Sequence, residues 1–417
     1  MTRPYYGWAI VGVAALAMVG TLPGRTQGLG LVTEPLIADI GIDRVTYASL
    51  NFWATLVGAL GALGIGRLID RFGARVVLTM VAGALAVIVG VMSQVTTVLM
   101  LAVCLTATRA VGQGALSVIS IAMIGAWFKA RLNMAMAIYS IALSIGFMAA
   151  FPAVGTIVAG LGWRTAWLTI AIALGVVLVP LAWLVVRRGP EAIGAWPDGG
   201  AAPAAGAATA VSHEGFTLGE ALATPAFWIF AIGSALYGLA ASGIGLFNES
   251  ILRERGFGYE VYYQTLAVTA MTGLTGNFLG GWLTRRVALA RLMAIALVVL
   301  AGGVAALPHV SSLAGVMVWA AAMGVGGGIV MVLFFSVWPA VFGRRELGRI
   351  QGAAQALTVL GSAIGPLLLA WCADATGSYA AMFRILAAII SVVAVAAATV
   401  SLPVPSRDAE PAAHRAG

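Results

Sequence analysis

Apolar residues run along this chain in blocks of about 20, the length a helix needs to cross a bilayer. Short polar breaks separate the blocks. The pattern predicts twelve spans, at 7–33, 45–66, 75–94, 97–123, 133–158, 164–186, 226–250, 261–284, 290–308, 312–337, 350–373 and 379–402. The shortest breaks fall at Val95–Thr97 and Pro308–Ser311. The first apolar run is too long for a signal-peptide core and reads as a retained span. The longest polar stretch, Arg187 to Thr224, holds the Ala-, Gly- and Pro-rich segment Ala201–Ala210 and has no apolar period, so it reads as a flexible linker. This predicts an N-terminal six-helix bundle (1–188), a cytoplasmic linker (189–224), a C-terminal six-helix bundle (225–403) and a cytoplasmic tail (404–417).

An internal repeat sharpens the division. A shift of 215 places Gly30-Leu31 on Gly245-Leu246, Glu34 on Glu249, Asp39 on Glu254 and Gly66 on Gly281. A shift of 214 places Phe128 on Phe342, Arg131 on Arg345 and Pro152 on Pro366. Two parallel six-helix repeats about an axis along the membrane normal would produce such a near-constant offset.

Composition agrees. Of 417 residues, 61% are hydrophobic and 9% charged, against about 25% charged in soluble domains. The fold class is therefore an all-α membrane protein of twelve transmembrane helices, with the lipid bilayer as its main partner. The net charge of +8 sits in short loops, which does not point to nucleic acid. Arg67, Arg71, Arg75, Lys129, Arg131, Arg187, Arg188, Arg285 and Arg286 fall at one predicted end. Arg44, Arg164, Arg253, Arg255 and Arg384 fall at the other. The excess at the first end places both termini in the cytoplasm, with the protein in the cell inner membrane. Cys104 and Cys372 lie inside apolar runs and imply no disulfide framework. His213, His309 and His414 are scattered through loops, so neither a metal site, a cofactor nor an enzyme is expected.

The loop after the second span reads Gly66-Arg67-Leu68-Ile69-Asp70-Arg71-Phe72-Gly73-Ala74-Arg75. It resembles the major facilitator signature G-x-L-x-D-R-x-G-x-R at every specified position. The resemblance implies a major facilitator fold and a gating role for Gly66, Asp70, Arg71, Gly73 and Arg75. Glycines allow a tight turn, and Asp70 can pair with arginines or a helix N-terminus and release them as the halves rock. The second-half copy, Gly281-Trp282-Leu283-Thr284-Arg285-Arg286, lacks the acid. Further strings are similar to bacterial members of the oxalate/formate antiporter and monocarboxylate porter branch. They are Tyr5-Tyr6-Gly7-Trp8, Arg188-Gly189-Pro190-Glu191, Pro197-Asp198-Gly199, Phe216 to Leu222, and Thr224-Pro225-Ala226-Phe227-Trp228. That branch often carries a charge in the eighth span, and its oxalate exchangers a lysine in the eleventh. Both spans lack these here.

The intramembrane cations are Arg25, within Pro23-Gly24-Arg25-Thr26-Gln27-Gly28, and Arg109, midway through the fourth span. A cation there costs at least ~2.5 kcal/mol on insertion scales and faces a cavity or a partner. For Arg109, helix packing or proton traffic stands beside contact with substrate. For Arg25, pairing with Glu34 or snorkelling stands beside contact with substrate. Gln27, Asn51, Gln113, Tyr139, Tyr237, Asn248, Asn277, Trp338 and Gln355 are the polar and aromatic candidates to complete a central site. No Asp or Glu lies in the middle of a predicted span, while Glu34 and Glu249 hold matching outer ends of spans one and seven. Two cations without a core carboxylate point to a secondary transporter of a small organic anion, a carboxylate, working as a monomer. A proton-driven efflux pump for hydrophobic or cationic compounds is the alternative, and it would want an acid at mid-membrane. A transporter-like sensor is the third reading, and it lacks an output domain.

Overall fold

The computed structural model describes residues 5–199, 215–343 and 345–403. Residues 200–214 of the linker, including all of Ala201–Ala210, the tail from 404, and the loop arginine Arg344 lie outside the described residues. The described chain is all-helical, with no strand beyond one isolated bridge, Gly215 to Gly343.

Among the described residues, eleven helices are long and apolar enough to cross a membrane: Gly7–Gly24, Arg44–Phe72, Ala74–Met92, Val98–Trp127, Met134–Leu161, Trp163–Val185, Pro225–Arg253, Leu289–His309, Leu313–Phe342, Leu347–Thr376 and Ala380–Thr399. A further helix, Tyr259–Leu283, supplies the eighth span. Its three tyrosines, Glu260, Gln264 and Asn277 make it more polar than its neighbours. The spans are numbered one to twelve below.

Local chemistry sets their ends. The Asp43 carboxylate accepts from the Thr46 amide at 2.8 Å and starts span two. Thr97, Thr224 and Ser312 cap spans four, seven and ten in the same way. Pro225 takes the first position of span seven, where no amide is needed. Several helices outrun the apolar run that predicted them. Spans ten and eleven extend to Phe342 and back to Leu347.

Span one departs furthest from expectation. The apolar pattern predicts a single run over 7–33. The structure breaks it after Gly24, resumes at Thr26–Gly30, and ends in Thr33–Ile40. Arg25 occupies the break in extended conformation (φ −92°, ψ 149°).

The first described residues, the signature loop and the described linker ends share one end of the molecule. There the Tyr5 hydroxyl donates to Trp127 O, the Tyr6 hydroxyl to Val185 O, and the Arg188 guanidinium to Arg71 O. At that end the linker is docked on both sides. The Asp198 carboxylate accepts from the amides of Lys129, Ala130 and Arg131 at 2.8–3.0 Å. Past the undescribed segment, the Phe216 amide donates to Phe342 O, and the Leu218 amide to Glu346 Oε2. Phe128 and Phe342 are repeat equivalents, so the two docking loops are equivalent as well.

The links between the halves gather toward the opposite end. Gly30 packs on Gly245 so closely that a Cβ on Gly30 would lie 2.1 Å from Gly245 O. These two are repeat equivalents at the 215 shift. A residue that touches its own equivalent lies on the axis relating the repeats. The Tyr259 hydroxyl donates to Leu31 O at 2.7 Å, and Glu34 reaches Arg253. Span five meets span eight where Gly155 accepts the Tyr263 ring.

Candidate functional site

Three interruptions of helical order converge in the first half. Span one breaks at Arg25. Span two passes through a tight turn at Leu60–Ala62 and resumes after Gly64, which is left-handed (φ 82°). Span four widens into a π-helical segment over Arg109–Leu116. Glycines let these irregular backbones meet. A Cβ on Gly24 would lie 2.6 Å from Thr108 O, and one on Gly61 would lie 2.5 Å from Ala110 O. Non-helical backbone at membrane depth persists where it is buried in protein or lines a cavity.

Arg109 sits at the junction, 2% exposed. Its Nη1 donates to Gly24 O at 3.2 Å and to Gln113 Oε1 at 2.6 Å. Its Nη2 donates to Thr26 Oγ1 at 3.0 Å and to Asn51 Oδ1 at 2.6 Å. The freed carbonyl of the span-one break is thus satisfied by span four. All four acceptors are neutral, and no carboxylate lies among them. Arg109 Nε and Asn51 Nδ2 are buried donors without a partner. The chemistry of this group is that of an anion receptor: a permanent positive charge in a low-dielectric wall, with spare N–H donors.

Arg25 is half-buried and turns back along span one. It donates from Nε to Thr21 Oγ1 at 2.7 Å, contacts Met18 Sδ, and lies over the Phe147 ring at 5.2 Å. It does not pair with Glu34, an option the sequence left open. Glu34 accepts from Arg44 Nε at 3.0 Å and from its Nη2 at 2.6 Å. A recess of about 470 Å³ lies nearby between spans one and five, lined by Ala15, Val19, Ala142, Gly146, Ala149 and others. Tyr139 is close enough to Arg25 to interact with it electrostatically, and its hydroxyl is 3.0 Å from Ser120 Oγ.

The remaining predicted residues separate into groups. Gln113 is exposed beside Arg109, and Gln27 lies against Gly245 of span seven. Asn248 donates to Thr265 Oγ1 at 3.1 Å and leaves its own Oδ1 without a partner. The Tyr237 ring packs on Gly327, and Asn277 adjoins Gly328. Trp338 is fully buried in an aromatic cluster with Phe227, Phe334 and Phe342. Its ring belongs to the packing of the second half, and its indole Nε1 is a buried donor without a partner. Gln355 is exposed on span eleven. In the signature loop, Gly66, Asp70 and Arg71 are exposed, Gly73 is left-handed (φ 84°) against Arg188, and Arg75 lies over the Trp183 ring at 4.2 Å.

Sequence reasoning missed Thr26 and the Gly24 carbonyl as partners of Arg109. It counted Arg44 and Arg253 as loop charges. Both belong to an ion-pair group across the halves: Arg253 contacts Glu249 and lies 3.7 Å from Glu34. The repeat match of Glu34 to Glu249 was the signal that could have revealed it. No group of three His, Cys, Asp or Glu side chains fit to hold a metal occurs among the described residues.

A family model described as Major Facilitator Superfamily matches residues 5–337. A relative from Mycolicibacterium smegmatis, named an MFS-type efflux pump, is 29% identical over 295 residues, which are 68% of this chain and 64% of that protein. The match therefore spans less than two thirds of that relative. In overall fold the chain is similar to a bacterial homolog of the human lysosomal transporter Spinster. Against its inward-facing, unoccupied crystal structure the TM-score is 0.72 at 17% identity, covering 95% of this chain and 96% of the other. Against the occupied form the TM-score is 0.70 at 14% identity.

Proposed function

Because this chain belongs to the Major Facilitator Superfamily of membrane transporters, we propose that it carries a small organic anion, a carboxylate, by alternating access between its two halves. The carrying observation is Arg109: a buried guanidinium whose hydrogen-bond acceptors are all neutral. An anion entering a low-dielectric cleft needs compensation, and this charge is not already spent on a carboxylate. Arg25 supplies a second cation toward the end that carries the signature loop. The signature loop around Asp70 serves as the gate at that end, which faces the cytoplasm.

The alternative is proton-driven efflux of hydrophobic or cationic compounds. The name of the mycobacterial relative supports it, while the two core cations oppose it. Uptake of a labelled carboxylate panel into proteoliposomes decides between them. Saturable uptake of one carboxylate, competed by its neighbours, supports the anion reading. Binding confined to cations or neutral drugs overturns it.

A further inference from the structure

A guanidinium carries five N–H hydrogens and accepts none. In Arg109 four of them are committed. Nη1 gives one to Gly24 O and one to Gln113 Oε1, and Nη2 gives one to Thr26 Oγ1 and one to Asn51 Oδ1. Only the Nε hydrogen remains, and that nitrogen is buried. Arg109 therefore has no open pair of hydrogens with which to grip a carboxylate through the usual two parallel bonds. Its charge reaches a ligand through the side chains around it.

Those side chains are oriented by it. A carboxamide that meets a guanidinium must present its oxygen, so its NH2 group points away. Asn51 Nδ2 is buried without a partner. Gln113 is exposed, and its Nε2 makes no hydrogen bond to the described residues. Thr26 follows the same rule. Its Oγ1 accepts from Arg109, so its own hydrogen turns elsewhere, and Ser242 Oγ of span seven stands 3.5 Å away. That contact, with Gln27 lying against Gly245, puts the group on the face of the first half that meets the second. Of the residues bonded there, Gln113 alone is exposed. It lies midway along span four, and a polar side chain open at that depth faces a cavity rather than lipid.

We propose that Gln113, through the hydrogens of its Nε2, is the group that meets the anion in the cleft, and that Arg109 is a positioning residue that turns this amide and supplies the field behind it. Selectivity follows from the orientation. An amide locked in this way offers donors and no acceptor, so it takes a carboxylate and refuses an ammonium group, which has only donors of its own. Flipping the amide to suit a cation would set NH2 against the guanidinium and forfeit the 2.6 Å bond. The inference rests on the anion reading for the sign of the ligand, while the placement of Gln113 in the field of Arg109 can be read without any substrate.

One substitution separates the two assignments by sign. Gln113→Met removes the N–H pair and frees a hydrogen on Arg109 Nη1. With Arg109 as the contact, the probe benzoate would bind as tightly as to wild type or more tightly. With Gln113 as the contact, its apparent dissociation constant is expected to rise about tenfold or more, read as benzoate-dependent thermal stabilisation of the purified full chain. Gln113→Glu keeps an oxygen for Arg109, so its melting temperature without ligand is expected to stay at or above the wild-type value while benzoate stabilisation disappears. Undiminished benzoate binding by either folded variant overturns the proposal. A second arm uses no substrate. Gln113→Cys, made with Cys104→Ala and Cys372→Ala, is reacted with a sulfonate-bearing and a trimethylammonium-bearing thiosulfonate. The anionic reagent is expected to react faster, and its advantage to vanish when Arg109→Gln is added. A thiol that stays unreactive in the folded protein, or that shows no preference for the anion, overturns the proposal. If benzoate stabilises no form, wild type included, while the thiol keeps its Arg109-dependent preference, the anion reading fails and the placement of Gln113 by Arg109 stands.

Discussion

In the first half, span one breaks at Arg25, span two turns at Leu60–Ala62, span four widens at Arg109–Leu116, and span six does so at Leu174–Leu178. In the second half, spans seven, eight, ten and eleven are continuous for 29, 25, 30 and 30 residues. The charges divide the same way. The repeat offset that carries Arg109 across lands on Met323 or Gly324. There the polar junction is replaced by close packing: a Cβ on Gly324 would lie 2.1 Å from Thr272 Oγ1, and one on Gly276 would lie 2.3 Å from Val325 O. Two copies of one architecture have thus diverged. One half gives up helical hydrogen bonds to expose polar groups and recovers them through an arginine. The other keeps its helices whole and brings them together through glycine and aromatic contacts.

The sharpest way to break this division is to test where affinity resides. Arg109→Gln should weaken benzoate binding about 100-fold, ~2.7 kcal/mol, read as ligand-dependent thermal stabilisation of the purified protein. Trp338→Phe, which keeps the second-half aromatic packing, should leave affinity unchanged. Equal losses in both would erase the asymmetry. The converse change is Gly276→Ala. Overpacking there should cost about 1–3 kcal/mol of stability, seen as a lower melting temperature, with affinity intact in the folded fraction.

Two smaller changes sharpen the picture. Asp70→Asn should slow transport about tenfold, ~1.4 kcal/mol on the barrier, while ligand-induced stabilisation stays at the wild-type level. Arg285→Gln in the acid-free second copy should slow it less, and equal slowing would remove the special place of Asp70. Arg25→Lys keeps the charge but loses the planar fork. It should raise the apparent dissociation constant up to tenfold, ~1.4 kcal/mol, with Arg25→Gln worse.

The smallest effect is expected at the linker. Partial burial pushes the Asp198 carboxyl up, but the backbone amides of Arg131, Ala130 and Lys129 together hold it below the usual carboxylate range. A depressed value means that docking is favoured above the unfolded carboxylate pKa and is lost as pH falls through the folded one. Asp198→Asn should weaken docking by about 1 kcal/mol, detected as faster proteolysis of the linker. Wild type should reproduce that only below the ordinary aspartate range.

The fold was legible because lipid imposes one rule on every span: an apolar stretch of the right length is a helix. The signature loop and the repeat then supplied the architecture. The site was legible only in part. Arg109, Asn51 and Gln113 stand out as polar residues in apolar runs, and the structure brings them together. Thr26 looks like any small membrane residue, and the Gly24 carbonyl is backbone, which no side-chain pattern reports. Arg44 and Arg253 look topogenic because they lie at span ends. Their pairing depends on how the halves meet, and a linear pattern does not encode that contact. Trp338 is ambiguous for the opposite reason: an aromatic in an apolar run reads the same whether it lines a cleft or fills a core.

The partners of Arg109 also bear on how the protein is made. Gly24, Thr26 and Asn51 all precede it in the chain, and Gln113 follows by one turn. Spans emerge from the ribosome in order, so a lone arginine entering the bilayer in span four would carry an insertion penalty of about 2.5–3.5 kcal/mol. By then the broken first span and the second already wait in the membrane with their carbonyls and amides unsatisfied. The arginine arrives to acceptors that are in place, and the same bonds that cradle the charge in the finished molecule can draw the fourth span into the nascent bundle.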